Sequence, residues 1–218
     1  MIGARAARRR MDNARMLHDF VYLASASPRR AQLLAQAGIA FRPLLPDRDE
    51  DTETLEQERS GELPLAYVQR VALLKLGAAR RRLARRGLPP APILCADTTV
   101  ALGRRILGKP RDDTHAAAML RALSGRSHRV MTSVVVGHER LHHLATSTSR
   151  VRLAPLSEAT IRHYVASGEP RGKAGAYAVQ GRIAAWIEHL EGSYTGVVGL
   201  PLLETRTLLA RTRVRLAP

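Results

Sequence analysis

The stretch Leu23-Ala24-Ser25-Ala26-Ser27-Pro28-Arg29-Arg30-Ala31-Gln32-Leu33-Leu34 changes character halfway, from an apolar run to small hydroxyl residues and then to a helical pattern. Val21 to Ala24 reads as a strand. Ser27 is a good N-cap residue, and Pro28 suits the first helical position, where its missing N–H would have had no partner. The helix extends to Ala37 and stops at Gly38. Its first turn is electrostatically awkward, because Arg29 and Arg30 put two full positive charges where a helix already carries a partial one. An anion removes the conflict: backbone N–H groups, two hydroxyls and two guanidiniums at one helix start form a phosphate-binding geometry. A solvated helix start with two surface arginines is the competing reading, and this stretch alone does not choose between them.

Outward from that turn, the chain of 218 residues is 45% hydrophobic, enough to bury one sizeable core or two lobes of one. The single cysteine, Cys95, lies in the apolar run Ile93-Leu94-Cys95-Ala96, which excludes an intrachain disulfide framework and fits a buried, reduced thiol in a cytoplasmic protein. No uncharged apolar stretch approaches the roughly 18 residues of a membrane span, and no secretory signal follows the basic N-terminus. Lys and Arg outnumber Asp and Glu by 35 to 19, a net charge of +16 that attracts polyanions. Much of that excess sits in the first fifteen residues and in Arg80, Arg81, Arg82, Arg85 and Arg86. With aromatics at only 4%, the stacking platform of a single-strand nucleic-acid binder is missing. Residues 1–19 lack apolar periodicity and read as a basic, mobile tail before one domain spanning 20–218.

Pro43 to Pro64 is an acidic, turn-rich loop, one of whose carboxylates could face a phosphate site and hold a cation. Leu65 to Arg86 has helical period, with Val68, Ala72, Leu76, Ala79 and Leu83 on one stripe. Lys75 falls inside that stripe, so it either snorkels out of the packed face or reaches into a polar cleft. Pro92 to Leu102 reads as a central strand interrupted by Asp97-Thr98-Thr99. A carboxylate there is costly unless paired, metal-bound or tied to backbone N–H groups, which makes Asp97 the strongest single-residue signal. Further on, Gly108-Lys109-Pro110 presents a lysine, and Asp112 or Asp113 caps a helix ending at Gly125. His128 to Val136 and Leu144 to Leu153 read as strands joined by a Gly- and His-containing connection. Ser157 caps another helix, and a glycine-rich loop, Glu169 to Gly181, carries Lys173 and Gln180. Trp186 to Leu190 reads as a strand, Tyr194 to Leu200 as a turn or strand, and Pro201 opens a last helix. The eight histidines show no metal-ligand spacing.

LASASPRR (23–30), ADTTV (96–100), GKPRD (108–112), LSGRSHRVMT (123–132), GEPRGKAGAYAVQG (168–181) and EGSYTGVVGLP (191–201) occur in this order. Together they resemble the Maf family of nucleoside triphosphate pyrophosphatases, over about residues 21 to 210. The resemblance implies a mixed α/β fold with a strongly curved sheet, flanking helices and two lobes around a deep cleft, related to inosine triphosphate pyrophosphatases. It implies hydrolysis of a nucleoside triphosphate to the monophosphate and pyrophosphate, assisted by a divalent cation, Mg²⁺ or Mn²⁺, in a homodimer. Position by position, it points to Ser25, Arg29, Arg30, Lys75 and Lys109 as phosphate contacts and to Asp97 as proton acceptor. It places Glu50 near the metal, where Asp97 is a ligand if it is not the base. Arg29, Thr98 and Gln180 match positions tied to base selection. All three fit the branch acting on dTTP and UTP rather than the 7-methyl-GTP branch, which tends to carry Trp, Gln and Glu there. Gly172 departs from the usual Asp and bears on how the late loop is anchored. The family's association with septum formation implies a regulatory alternative, while net charge alone favours nucleic-acid binding only weakly.

Overall fold

In the computed structural model, residues 17–216 are described, except 49 and 53. Seven strands form one mixed sheet. β1 (Val21–Leu23) runs into α1 (Pro28–Gln36), followed by β2 (Phe41–Pro43). After the acidic segment and a 3-10 turn at Thr54–Glu56 come α2 (Pro64–Arg85), β3 (Ile93–Leu102) and β4 (Arg105–Leu107). α3 (Asp113–Leu123), β5 (Ser127–His138), β6 (Leu141–Leu153) and α4 (Glu158–Ala166) follow. The chain closes with β7 (Ile187–Glu191), the short α5 (Tyr194–Val198) and α6 (Leu202–Arg211). The order is β2-β1-β3-β5-β6-β7, with β4 paired to β3. β2, β1 and β3 are parallel, and the remaining pairs are antiparallel.

Alternation along β3 decides which chemistry faces which helix. Ile93 and Cys95 pack with Ala72, Leu76 and Ala79 of α2. Leu94 and Ala96 pack on the other face with Leu33 and Leu34 of α1 and Leu208 and Leu209 of α6. Continued by two, the first series brings Asp97 to the α2 side and the second brings Thr98 to the α1 side. A third cluster, including Leu120, Leu123, Val151 and Ile161, packs α3 and α4 against the far end of the sheet. β1 pairs with β3 only at Ile93 and Leu94, and β4 takes up pairing at Val100. Among the described residues the β3 edge between them has no strand partner. Both faces therefore open into one gap beside Asp97 and Thr98.

Two expectations change. The hairpin connection is shorter than its Gly and His content suggests: β5 and β6 run on through it and turn at Glu139, whose φ is 50°. Gly137 sits inside β5 because a Cβ there would come within 2.7 Å of Leu76 in α2. Tyr194 to Val198, expected as a turn or strand, is a short helix, with Ser193 Oγ accepting from Gly196 N–H as its cap. Residues 1–16 of the expected tail lie outside the described residues, but its end is held. His18 pairs with Val214, donating N–H to Arg213 O and accepting from Arg215 N–H, both at 2.8 Å.

Candidate active site

The gap beside β3 is a cavity of about 470 Å³, lined by the β1–α1 turn, the α2 face, the Lys109 loop, the 171–180 segment and Gly199. Seven Lys and Arg side chains line it against two carboxylates, Asp97 and Glu56. Such an excess of cations in a concave, partly desolvated site suits a polyanion.

On the α2 side, helix geometry aligns Val68, Lys75 and Arg82 along one stripe, seven residues apart. Lys75 takes the polar alternative: its Nζ lies 2.6 Å from Asp97 Oδ1 and 2.8 Å from Glu56 Oε1. Lys109 Nζ meets Glu56 Oε2 at 2.6 Å. Burial pushes the Glu56 carboxyl up, but Lys75 and Lys109 outweigh it and hold the group below the usual carboxylate range. Asp97 is buried at the β3 edge, and only Oδ1 is bonded among the described residues.

The acidic segment crosses α2 as a strap. Glu50 pairs with both sides of the Arg82 guanidinium, at 2.5 and 2.9 Å, and Asp47 pairs with Arg85 and Arg86. At the other end Glu62 grips Arg70 through two bonds of 2.6 Å. Between these anchors Tyr67 donates to the Glu56 carbonyl at 2.8 Å and fixes the turn that points its carboxylate inward. Glu50, expected near the metal, does not line the cavity, and buried Arg82 captures it. Glu56 stands there instead. Nothing local singles it out among the loop's carboxylates; only the path of the strap does.

On the α1 side the cations have no carboxylate partner. Arg30 donates Nε to Gly199 O at 2.8 Å, Nη1 to Ser25 Oγ at 3.0 Å and Nη2 to Thr98 Oγ1 at 3.4 Å. Burial lowers its pKa, and nearby Asp97 opposes that shift. Arg29 makes no hydrogen bond or ion pair among the described residues, and burial lowers its pKa too. Lys173 is shifted down by burial and then by the charge of Arg29. Two under-compensated cations thus share one wall, the condition an anion relieves. Ser27 caps α1 by backbone conformation only; its N–H is taken by Ser25 Oγ at 3.2 Å.

Gln180 is exposed at the cavity, with its amide unbonded among the described residues. Thr98 lines the same cavity but already bonds Thr132 at 2.9 Å. Gly172 adopts φ 69°, a left-handed conformation that glycine takes without strain. The loop it occupies is anchored without an Asp: Arg171 pairs with Asp113 at 3.0 Å, Glu169 accepts from Arg182 N–H, and Gly175 N–H donates to Gly108 O.

Residues 20–212 match the family described as Maf-like protein. The chain is 61% identical to a dTTP/UTP pyrophosphatase of Polaromonas sp., over 88% of this chain and 95% of that one. It is 56% identical to proteins of the same name from Albidiferax ferrireducens, covering 88% and 96%, and Ralstonia nicotianae, covering 91% and 97%. Among solved structures, the Staphylococcus aureus Ham1 protein superposes with a TM-score of 0.42 at 15% identity, over 62% of this chain and 71% of that one. That match is too loose to establish a shared fold. The family match over nearly the whole chain, and relatives this similar over nearly their full length, make the protein a member of the Maf family.

Proposed function

We propose that this protein hydrolyses dTTP and UTP to the nucleoside monophosphate and pyrophosphate in the cavity beside β3. The observation that carries the reading is the gathering of Ser25, Arg29, Arg30, Lys75 and Lys109 around the buried carboxylate of Asp97. Hydrolysis of a phosphoanhydride needs a water deprotonated and aimed at the α-phosphorus, and cations on the charge that grows on the leaving pyrophosphate. Lys75 holds Asp97 by Oδ1 and leaves Oδ2 to take the proton. Arg29, Arg30 and Lys109 bind and orient the triphosphate, and Gln180 offers an amide donor to the O4 of thymine or uracil.

The resemblance also implies Mg²⁺ or Mn²⁺. Among the described residues no cluster of three or more His, Cys, Asp or Glu gathers. Hard cations at phosphate sites, however, are commonly bound through one or two carboxylates plus substrate oxygens. Glu56, beside Lys75, fits that donor set, as does Asp97 if it is not the base, and would hold the ion with the phosphates. Bound there, it would add positive charge at the reacting phosphate.

A screen of common and modified nucleoside triphosphates with either metal, read as released pyrophosphate, tests the proposal. dTTP and UTP should lead, with CTP and 7-methyl-GTP poor. Clear preference for 7-methyl-GTP overturns the branch, and no pyrophosphate from any substrate overturns the activity. A nucleotide substrate and the buried thiol of Cys95, whose pKa burial pushes up to about 12, fit a cytoplasmic setting. We further propose the homodimer that the family resemblance implies, which light scattering on the purified protein tests.

A further inference from the structure

Arg30 sits between two hydroxyls that their surroundings make opposites. Ser25 Oγ accepts from Ser27 N–H at 3.2 Å and from Arg30 Nη1 at 3.0 Å. A hydroxyl oxygen has two lone pairs and one proton, so Ser25 has only its proton left for the cavity. On the other side a chain of hydroxyls has a fixed direction. Thr132 Oγ1 lies 2.7 Å from the Gly196 carbonyl, which can only accept, so Thr132 donates there. Thr132 must then accept at its 2.9 Å contact with Thr98, whose proton is spent on it. Arg30 Nη2, which can only donate, meets Thr98 at 3.4 Å and agrees with that direction. Thr98 has only lone-pair density left to offer.

We infer that Thr132 is a positioning residue for substrate selection: it fixes Thr98 as an acceptor for an N–H of the base, while Ser25 donates to a phosphate oxygen. Thr132 is 1% exposed and does not line the cavity, so it bears on the base through its bond to Thr98. Register explains the pairing, since Thr98 and Thr132 lie opposite each other on β3 and β5 and so share a face. The inference rests on the nucleotide reading and gives the substrate a direction. A phosphate oxygen cannot sit on Thr98, where lone pairs would face lone pairs, so the triphosphate runs toward Ser25 and Arg29 and the base toward Thr98. Uracil and thymine present N3–H; cytosine presents a bare N3 and leaves Thr98 unpaired.

The test measures binding of the α,β-methylene analogues of UTP and CTP, which cannot be cleaved at that bond, and of pyrophosphate, by calorimetry in Mg²⁺ buffer. Thr132→Val should narrow the preference for the UTP over the CTP analogue about tenfold, leaving pyrophosphate affinity within about twofold. Thr132→Ser, which restores the hydroxyl, should keep the wild-type preference. Thr98→Val, at the half-buried cavity wall, should narrow it as Thr132→Val does and covers the case in which that variant does not fold. Ser25→Ala should do the reverse, weakening pyrophosphate about tenfold with the base preference kept. The inference falls if the wild type shows no preference between the analogues, or if Thr132→Val and Thr98→Val keep it. It also falls if those variants lose pyrophosphate in proportion, or if Thr132→Ser fails like the valine variant. A wild type that prefers the UTP analogue yet releases no pyrophosphate from UTP refutes the proposed activity while leaving this inference standing.

Discussion

The two walls of the cavity hold their cations in opposite ways. Lys75 and Lys109 are paired with carboxylates, at 2.6 to 2.8 Å, whereas Arg30 is held by a carbonyl and two hydroxyls and Arg29 by nothing charged. A neutral acceptor orients a guanidinium without cancelling its charge, so the α1 wall is a standing anion site. The α2 wall is internally neutralised, and if Asp97 is the proposed base its lysine keeps that carboxylate in place. On the proposed function, the α1 wall serves the phosphates with Lys109, and the α2 wall supplies the base.

The sharpest way to break that division is Asp97→Asn, which keeps the volume but removes the base. Turnover should fall about 10²- to 10⁴-fold with little change in thermal stability, as measured by pyrophosphate release and a melting curve. Activity within a few-fold of wild type in a folded variant would remove Asp97 from the chemistry. Next, Arg30→Ala and Lys109→Ala should each lower kcat by about tenfold or more, because the leaving pyrophosphate needs each cation more as its charge grows. A change confined to KM would mean that both bind ground state and transition state alike. Glu56→Gln should raise the Mg²⁺ concentration for half-maximal activity by about tenfold, while Glu50→Gln should leave it unmoved. The reverse result would return the metal-holding role to Glu50. Gln180→Glu should cost several-fold in UTP turnover, since it trades an amide donor for a second acceptor.

The smallest effect concerns stability and pH. Arg82 hydrogen bonds hold the Glu50 carboxyl below its ordinary 4.5, and Lys75 and Lys109 do so for Glu56. A depressed folded pKa means that stability is fully present above 4.5 and is lost as pH falls through the lower folded value. Melting temperatures recorded from pH 6 to pH 3 should therefore fall, and Glu50→Gln should flatten the slope.

How much of this was legible in the sequence follows the range of the forces involved. The β1–α1 turn was readable because its signals, Ser27, Pro28 and the two arginines, are local. Lys75 and Asp97 were readable as violations of an apolar pattern, and both are resolved by one contact with each other. Glu56 was not, because its distinction from Glu50 depends on which carboxylate buried Arg82 captures, a fact of tertiary packing. Thr132 was equally silent: a threonine in a strand is ordinary, and only the strand register places it behind Thr98. The helix at Tyr194–Val198 was missed because five residues are too few to display a helical period.

The parallel clasp between His18 and Val214 holds the first and last described segments side by side. A chain trimmed to residues 17–216 can have these adjacent segments joined by a linker and be reopened elsewhere. The turn at Glu139, at the far end of the β5–β6 hairpin and outside the cavity lining, is the natural cut. A circular permutant opened there would keep every strand and every cavity residue while having the 171–180 segment and Gly199 synthesised before the β1–α1 turn and α2.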